Sequence, residues 1–195
     1  VYLHGSDQFH YRSEEHATIQ DVVFESNGGR GKAIHMKALL ASEYIAAVQI
    51  SNCMIDNFEY GIYTEGNTTY DNNMGWVSQN LISNITINSC KNSLYMSGHA
   101  NVNTFSNIQI EFGLSDLPSY DNGIYIEGRQ NILSGILLVD TQNNLTNVIN
   151  LTSTSKRNLI HCHFEDENAY TIDNGLLNSI VNSHNPAFDI GLGAG

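Results

Sequence analysis

The chain has 195 residues, a net charge of −12, eight Lys and Arg in all, and 14% charged residues against the usual quarter. With no cationic cluster to meet phosphates, this composition argues against nucleic acid or anionic membrane as a partner. No apolar run reaches transmembrane length, so membrane insertion is not expected. Hydrophobic content of 41% supports a folded core, and 25 asparagines supply much of the neutral polarity. Asparagine favours turns and tolerates left-handed backbone, so this abundance implies many corners.

Residues 1–16, which include His4, His10 and His16, lack any repeat and read as an opening segment. From residue 17 to residue 190 a repeat dominates. Gly61-Ile62-Tyr63-Thr64-Glu65-Gly66 returns as Gly123-Ile124-Tyr125-Ile126-Glu127-Gly128, with Ser93-Leu94-Tyr95-Met96-Ser97-Gly98 between them. Short strands that recur every few tens of residues and end in glycine are the mark of a coil of stacked equivalent turns.

Aligned on the first inward residue, the series runs Ile34, Ile62, Leu94, Ile124, Ile149, Ile172 and Phe188. The inward partners two residues on are Met36, Thr64, Met96, Ile126, Leu151, Asn174 and Ile190, with Asn174 a misfit. This is strand phase, not helix phase. A second strand precedes the recurring one and carries an apolar-Ser-Asn signature: Ile50-Ser51-Asn52, Ile82-Ser83-Asn84 and Phe105-Ser106-Asn107, degrading to Leu133-Ser134-Gly135. Asn52, Asn84 and Asn107 are expected to stack at one corner and to hydrogen-bond along the coil axis.

Two strands and their corners account for the shortest turns, so the longer turns carry insertions, at residues 67–80 and 113–122. The first holds Tyr70, Asp71 and Trp76; the second holds Asp116, Pro118, Tyr120 and Asp121. Residues 191–195 form a tail. The chain opens on Val1, and neither end shows a convincing cap for its strand edges, so a fragment of a longer protein is expected. Cys53, Cys90 and Cys162 show no zinc spacing and read as free thiols, Cys53 and Cys162 on the buried phase. The sequons at Asn67, Asn84, Asn144 and Asn150 are no more than so Asn-rich a chain gives by chance.

Irregular turns, stacked asparagines, Asn-Gly corners (Asn27-Gly28, Asn122-Gly123, Asn174-Gly175) and a lysine-poor, Asn- and Tyr-rich composition resemble the right-handed parallel β-helices of the pectate-lyase-like superfamily. Within that group, bacteriophage tailspikes and appendage proteins are the most similar in character. The resemblance implies an all-β, single-stranded right-handed parallel β-helix over residues 17–190. It also implies a homotrimer on a virion tail, or an extracellular setting, and recognition or depolymerisation of host cell-surface polysaccharide. It carries no catalytic motif: the signatures of pectin hydrolases and the calcium-binding Asp clusters of pectate lyases are missing. A secreted monomeric polysaccharide lyase or glycoside hydrolase is the competing reading.

The outward face of the recurring strand carries the candidate chemistry. Tyr63, Tyr95 and Tyr125 form a ladder, with Glu65 and Glu127 beside it and Ser97 between them. Two rungs put the carboxylates roughly 9–10 Å apart at their backbones, near the separation of about 6.5–9.5 Å that an inverting glycosidase uses. Glu65 and Glu127 are therefore the candidate catalytic pair if the protein is an enzyme. Tyr63, Tyr95, Tyr125, Trp76, Asp116 and Asp121 are candidate sugar-binding residues. The competing reading of the same residues is a solvated face or a subunit interface, since aromatic ladders stabilise sheets without any ligand. His161-Cys162-His163 sets two imidazoles on one strand face without a third ligand, so neither metal nor cofactor is expected.

Overall fold

Alternation along a strand sends residues i and i+3 to opposite faces, yet Ile50 and Cys53, Ile82 and Ile85, and Phe105 and Ile108 are all buried. The computed structural model, which describes residues 1–4, 17–40, 43–68, 75–113, 120–140, 145–164 and 171–182, shows why. Asn52, Asn84 and Asn107 adopt φ of 54°, 55° and 52°, so each is a left-handed bulge that drops one residue out of the alternation. Asp21 and Gly135 take the same role in the rungs before and after, at φ 58° and 62°. The exposed asparagines hydrogen-bond in a row, Asn107 Nδ2 to Asn84 Oδ1 and Asn84 Nδ2 to Asn52 Oδ1, each at 3.2 Å. The next rung, Ile160-His161-Cys162, lacks the extra residue, and the pairing shifts register there, between Leu133 and Ile136.

These strands belong to an eight-stranded sheet that faces a seven-stranded sheet built from the Ile-Tyr-x-Glu-Gly repeat. All named pairings are parallel, no helix occurs among the described residues, and the whole is a parallel β-solenoid of about five turns. Ile34, Ile62, Leu94, Ile124 and Ile149 pair in register and are at most 1% exposed, so they share one interior. Met36, Thr64, Met96, Ile126 and Leu151 line the same core two residues on. Backbone crowding explains the repeat's closing glycine: a Cβ on Gly128 would lie 1.8 Å from the Ala100 carbonyl oxygen, and one on Gly66 would lie 2.6 Å from the His99 carbonyl carbon.

Four sequence expectations are corrected. Three of the longer turns hold a third strand as well as the two expected: Tyr44–Ala46, Trp76–Ser78 and Ala100–Asn101 form a third sheet, while the shorter turns after Tyr120–Ile126 and Leu145–Leu151 pass the same corner with isolated bridges alone. The first insertion is therefore shorter than expected, because Trp76 opens a strand. Tyr120 is core, not loop: it is 0% exposed and begins the strand Tyr120–Ile126. In the last rung Thr171 pairs with Ile149, so Ile172 pairs with outward Asn150, is 37% exposed, and leaves the inward series one residue early. Asn174 is exposed, while Phe188 and Ile190 lie outside the described residues. Within the opening segment, Tyr2–His4 pairs with Lys32–Ala38 and extends the seven-stranded sheet.

A second asparagine row, unforeseen from sequence, runs inside the coil. The side-chain amides of Asn80, Asn103, Asn131 and Asn158 each donate to the amide oxygen of the next in line, ending at Asn178, at 2.9–3.2 Å. The same oxygens accept the backbone N–H of the preceding rung, from Val48 N to Asn158 N. Each Nδ2 of the first four also donates to a backbone carbonyl, and all four residues are at most 1% exposed. The residue before each, from Gln79 to Leu177, has φ of 55–58° and turns the corner.

Removing a member of the buried row leaves several buried donors and acceptors unmet, at about 1–3 kcal/mol for each orphaned group. Asn103→Ala should therefore lower unfolding free energy by about 3 kcal/mol or more in denaturant titration. Asn84→Gly, exposed and already left-handed, should change it by less than about 1 kcal/mol.

Candidate functional site

In-register pairing that aligns the core also aligns the outward side chains of the seven-stranded sheet. His35, Tyr63, Tyr95, Tyr125 and Asn150 form one column. Lys37, Glu65 and Ser97 form the next, and Glu127 continues it one residue past the paired Ile126. The sheet thus unites six of the eight predicted site residues: Tyr63, Tyr95, Tyr125, Glu65, Glu127 and Asp121. Asp121 lies at the start of the same strand as Tyr125, its carboxylate 3.3 Å from Lys91 Nζ. Trp76 is not part of this face: it is 51% exposed on the three-stranded sheet, where it pairs with Tyr44. Asp116 lies outside the described residues.

The rings pack against one another. Tyr95 and Tyr125 stack at 4.2 Å with 5° between planes, and His35 and Tyr63 stack at 5.0 Å with 7°. Tyr63 and Tyr95 meet edge to face at 5.1 Å, and Tyr60 packs on both, stacked on Tyr63 and edge-on to Tyr95. Tyr2 closes the His35 end at 5.1 Å. Lys32 Nζ sits 4.1 Å from the Tyr63 ring centroid. The faces that sequence reasoning assigned to sugar rings are therefore largely taken by neighbouring rings, and the row offers phenol edges and hydroxyls instead. Tyr60, Lys32 and His35 were not among the predicted site residues. Tyr60, immediately before Gly61, had a legible place at the head of the repeat.

Burial raises the Tyr63 phenol to about 12, against the weaker pull of its Ser97 hydrogen bond. The Tyr95 and Tyr125 phenols are also raised, by burial first, with the Glu127 carboxylate adding to it at Tyr125. All three remain protonated donors at neutral pH. Burial lowers the His35 pKa more than its bond to Glu65 raises it, and Lys32 and Lys37 push it the same way as burial. Neutral His35 Nε2 lies 2.8 Å from Glu65 Oε2, a distance suited to an Nε2–H donor.

The two carboxylates are engaged within the chain. Glu127 accepts the Gly98 N–H and the Tyr125 hydroxyl, both at 2.7 Å, one on each oxygen. Glu65 accepts from His35 and lies 4.0 Å from Lys37 Nζ. A general acid must donate a proton to its leaving group, whereas here Glu127 accepts on both oxygens and Glu65 on one. No group of three or more potential metal ligands occurs among the described residues. Comparison with protein-family profiles, curated proteins and solved structures finds no match to this chain.

The lowered His35 pKa gives a signed expectation. The unfolded chain binds this proton near pH 6.5, while the fold resists it until lower pH. Below about pH 6.5 the unfolded state thus holds more protons, and stability is lost on acidification. The melting temperature of the wild type should fall between about pH 6.5 and 5, and His35→Phe should flatten part of that slope.

Proposed function

We propose that the protein is a recognition solenoid that binds cell-surface polysaccharide along the outward face of its seven-stranded sheet, and that it binds without cutting. The observation that carries this reading is the unbroken row of phenols, one per rung at Tyr63, Tyr95 and Tyr125, flanked by Glu65, Ser97 and Glu127. A row of protonated hydroxyl donors beside carboxylate acceptors, at the regular spacing of a parallel sheet of about 4.8 Å, suits an extended polymer of hydroxyl groups. Stacked rings hold those edges rigid, so little side-chain entropy is lost on binding. The engagement of both Glu127 oxygens supports binding over hydrolysis. The resemblance to tailspike and appendage coils supports a setting on a phage or viral tail, facing a host surface.

Titration calorimetry against a panel of bacterial capsular and lipopolysaccharide glycans tests this. Tyr125→Ala should weaken binding of a recognised glycan at least tenfold, about 1.4 kcal/mol, with the fold intact by circular dichroism. Reducing-end and 235-nm absorbance assays should show no product. Turnover that is lost in Glu65→Gln and Glu127→Gln variants would replace the binding reading with a hydrolase.

A further inference from the structure

Asparagine followed by glycine occurs three times, at Asn27-Gly28, Asn122-Gly123 and Asn174-Gly175. Such a pair carries its own chemistry. The glycine nitrogen can close on the asparagine side-chain carbon to form a succinimide ring, provided that the nitrogen is not held elsewhere and the backbone between them can turn. No Cβ on the second residue shields the attack, which is one reason asparagine counts as thermolabile. The fold gives the three pairs different surroundings, and those decide which of them can react.

Asn122 is locked. It is buried within the strand Tyr120–Ile126, its Nδ2 donates to Asn92 Oδ1 at 2.8 Å, and its Oδ1 accepts from Asn147 and Asn150. Asn174 is exposed, but its neighbour is held: the Gly175 N–H donates to Asp173 Oδ1 at 2.9 Å. Gly175 is also wedged against the coil, since a Cβ there would lie 2.1 Å from Ser155 Oγ. Asn27 meets neither restraint. The Ser26 carbonyl accepts Asn57 Nδ2 at 2.8 Å, and the Gly31 carbonyl accepts the Tyr60 N–H at 3.0 Å. Between them, no hydrogen bond holds residues 27–30 among the described residues. Asn27 and Gly28 are both exposed, and nothing lies within 4 Å of where a Gly28 Cβ would stand.

We propose that Asn27 is a site of covalent modification, the Asn-Gly pair of the folded chain that water converts to aspartate and isoaspartate. The Gly28 amide nitrogen gives up its proton to solvent base and bonds to Asn27 Cγ. The Cγ–Nδ2 bond breaks, Nδ2 leaves as ammonia, and a succinimide remains. Water then opens the ring. Cleavage at Cγ leaves aspartate, whereas cleavage at the main-chain carbonyl of residue 27 leaves isoaspartate, with an extra methylene in the backbone. Net, water is consumed and ammonia released, with no change of oxidation state. Either product adds a negative charge at the corner that joins Val23–Glu25 to Lys32–Ala38. Glu25 there already pairs with Asp56 on the next rung, and burial first, then Glu25, raises the Asp56 carboxyl. The new carboxylate thus joins two that already repel one another. This inference does not depend on the glycan reading, since it concerns a corner outside the phenol row.

Peptide mapping by mass spectrometry, after incubation of the whole folded chain at mildly alkaline pH, decides it. The Asn27 peptide should gain one mass unit at least about tenfold faster than the Asn174 peptide, and the Asn122 peptide should stay unchanged. Isoaspartate at residue 27 should accept a methyl group from S-adenosylmethionine in the presence of an isoaspartyl methyltransferase. In concentrated guanidinium chloride the three rates should come within about threefold of one another, because the fold sets their order. Gly28→Ala should slow conversion of residue 27 at least about tenfold. That position has room for a methyl group and a φ outside the left-handed region, so circular dichroism should show the variant folded. Conversion of Asn174 or Asn122 in the folded chain as fast as Asn27 would overturn the proposal. So would a tenfold lead for Asn27 that persists in denaturant, or a Gly28→Ala variant that converts at the wild-type rate.

Discussion

A left-handed residue followed by a buried asparagine recurs at one corner of successive turns, and the rest of the architecture hangs on that pair. Gln79-Asn80, Val102-Asn103, Gln130-Asn131, Arg157-Asn158 and Leu177-Asn178 occupy the same place in five rungs. The left-handed residue reverses the chain, which a β-branched residue such as Val102 does only under strain. The asparagine repays that strain by filling its amide valences inside the coil, where unmet backbone groups would be costly. Because every amide points the same way along the axis, each rung is fixed to the height of the next. Pairing in register follows, and so do the columns of isoleucine, leucine and methionine that form the core.

The same register determines what the surface can do. An outward residue repeats at the spacing of the strands, so similar side chains form rows whether or not a ligand demands them. On the seven-stranded sheet this brings phenols close enough to stack, which consumes ring faces and presents edges. On the eight-stranded sheet it produces columns of serine, asparagine and apolar residues, with Glu25, Asp56 and Glu111 in the column beyond Met54. One scaffold therefore carries stacked phenols on one sheet and columns of serine and asparagine on the other, and nothing in the core distinguishes them.

Much of this was legible in the chain, and the failures have physical causes. The inward series from Ile34 to Ile149 could be read because buried positions on a regular strand keep a period of two. The reading broke at Ile172, where the strand Thr171–Asp173 is only three residues long and pairs one residue out of the expected phase. Strands of two or three residues, such as Ala100–Asn101, are too short to show alternation, so the third sheet was invisible and Trp76 looked like loop. The exposed asparagine row was found through its Ser-Asn dipeptide. The buried row was missed because asparagine before a strand reads as an ordinary turn residue. Its signal was present nonetheless: Asn80, Asn103, Asn131, Asn158 and Asn178 each stand two residues before a buried or half-buried Ile, Leu or Phe. Of the candidate site, the residue identities were readable, but ring stacking and the engagement of Glu127 depend on side-chain geometry that no spacing encodes.

Amide hydrogen exchange on Asn131→Val tests the rung-to-rung asparagine row most directly. In the wild type the Asn103 N–H donates to Asn131 Oδ1 at 2.9 Å, while the Asn131 N–H donates onward to Asn158. The substitution should therefore accelerate exchange sharply at Asn103, 28 residues away in sequence, and leave the amide of residue 131 itself protected. Loss of protection confined to residue 131 and its chain neighbours, with Asn103 unchanged, would contradict the account.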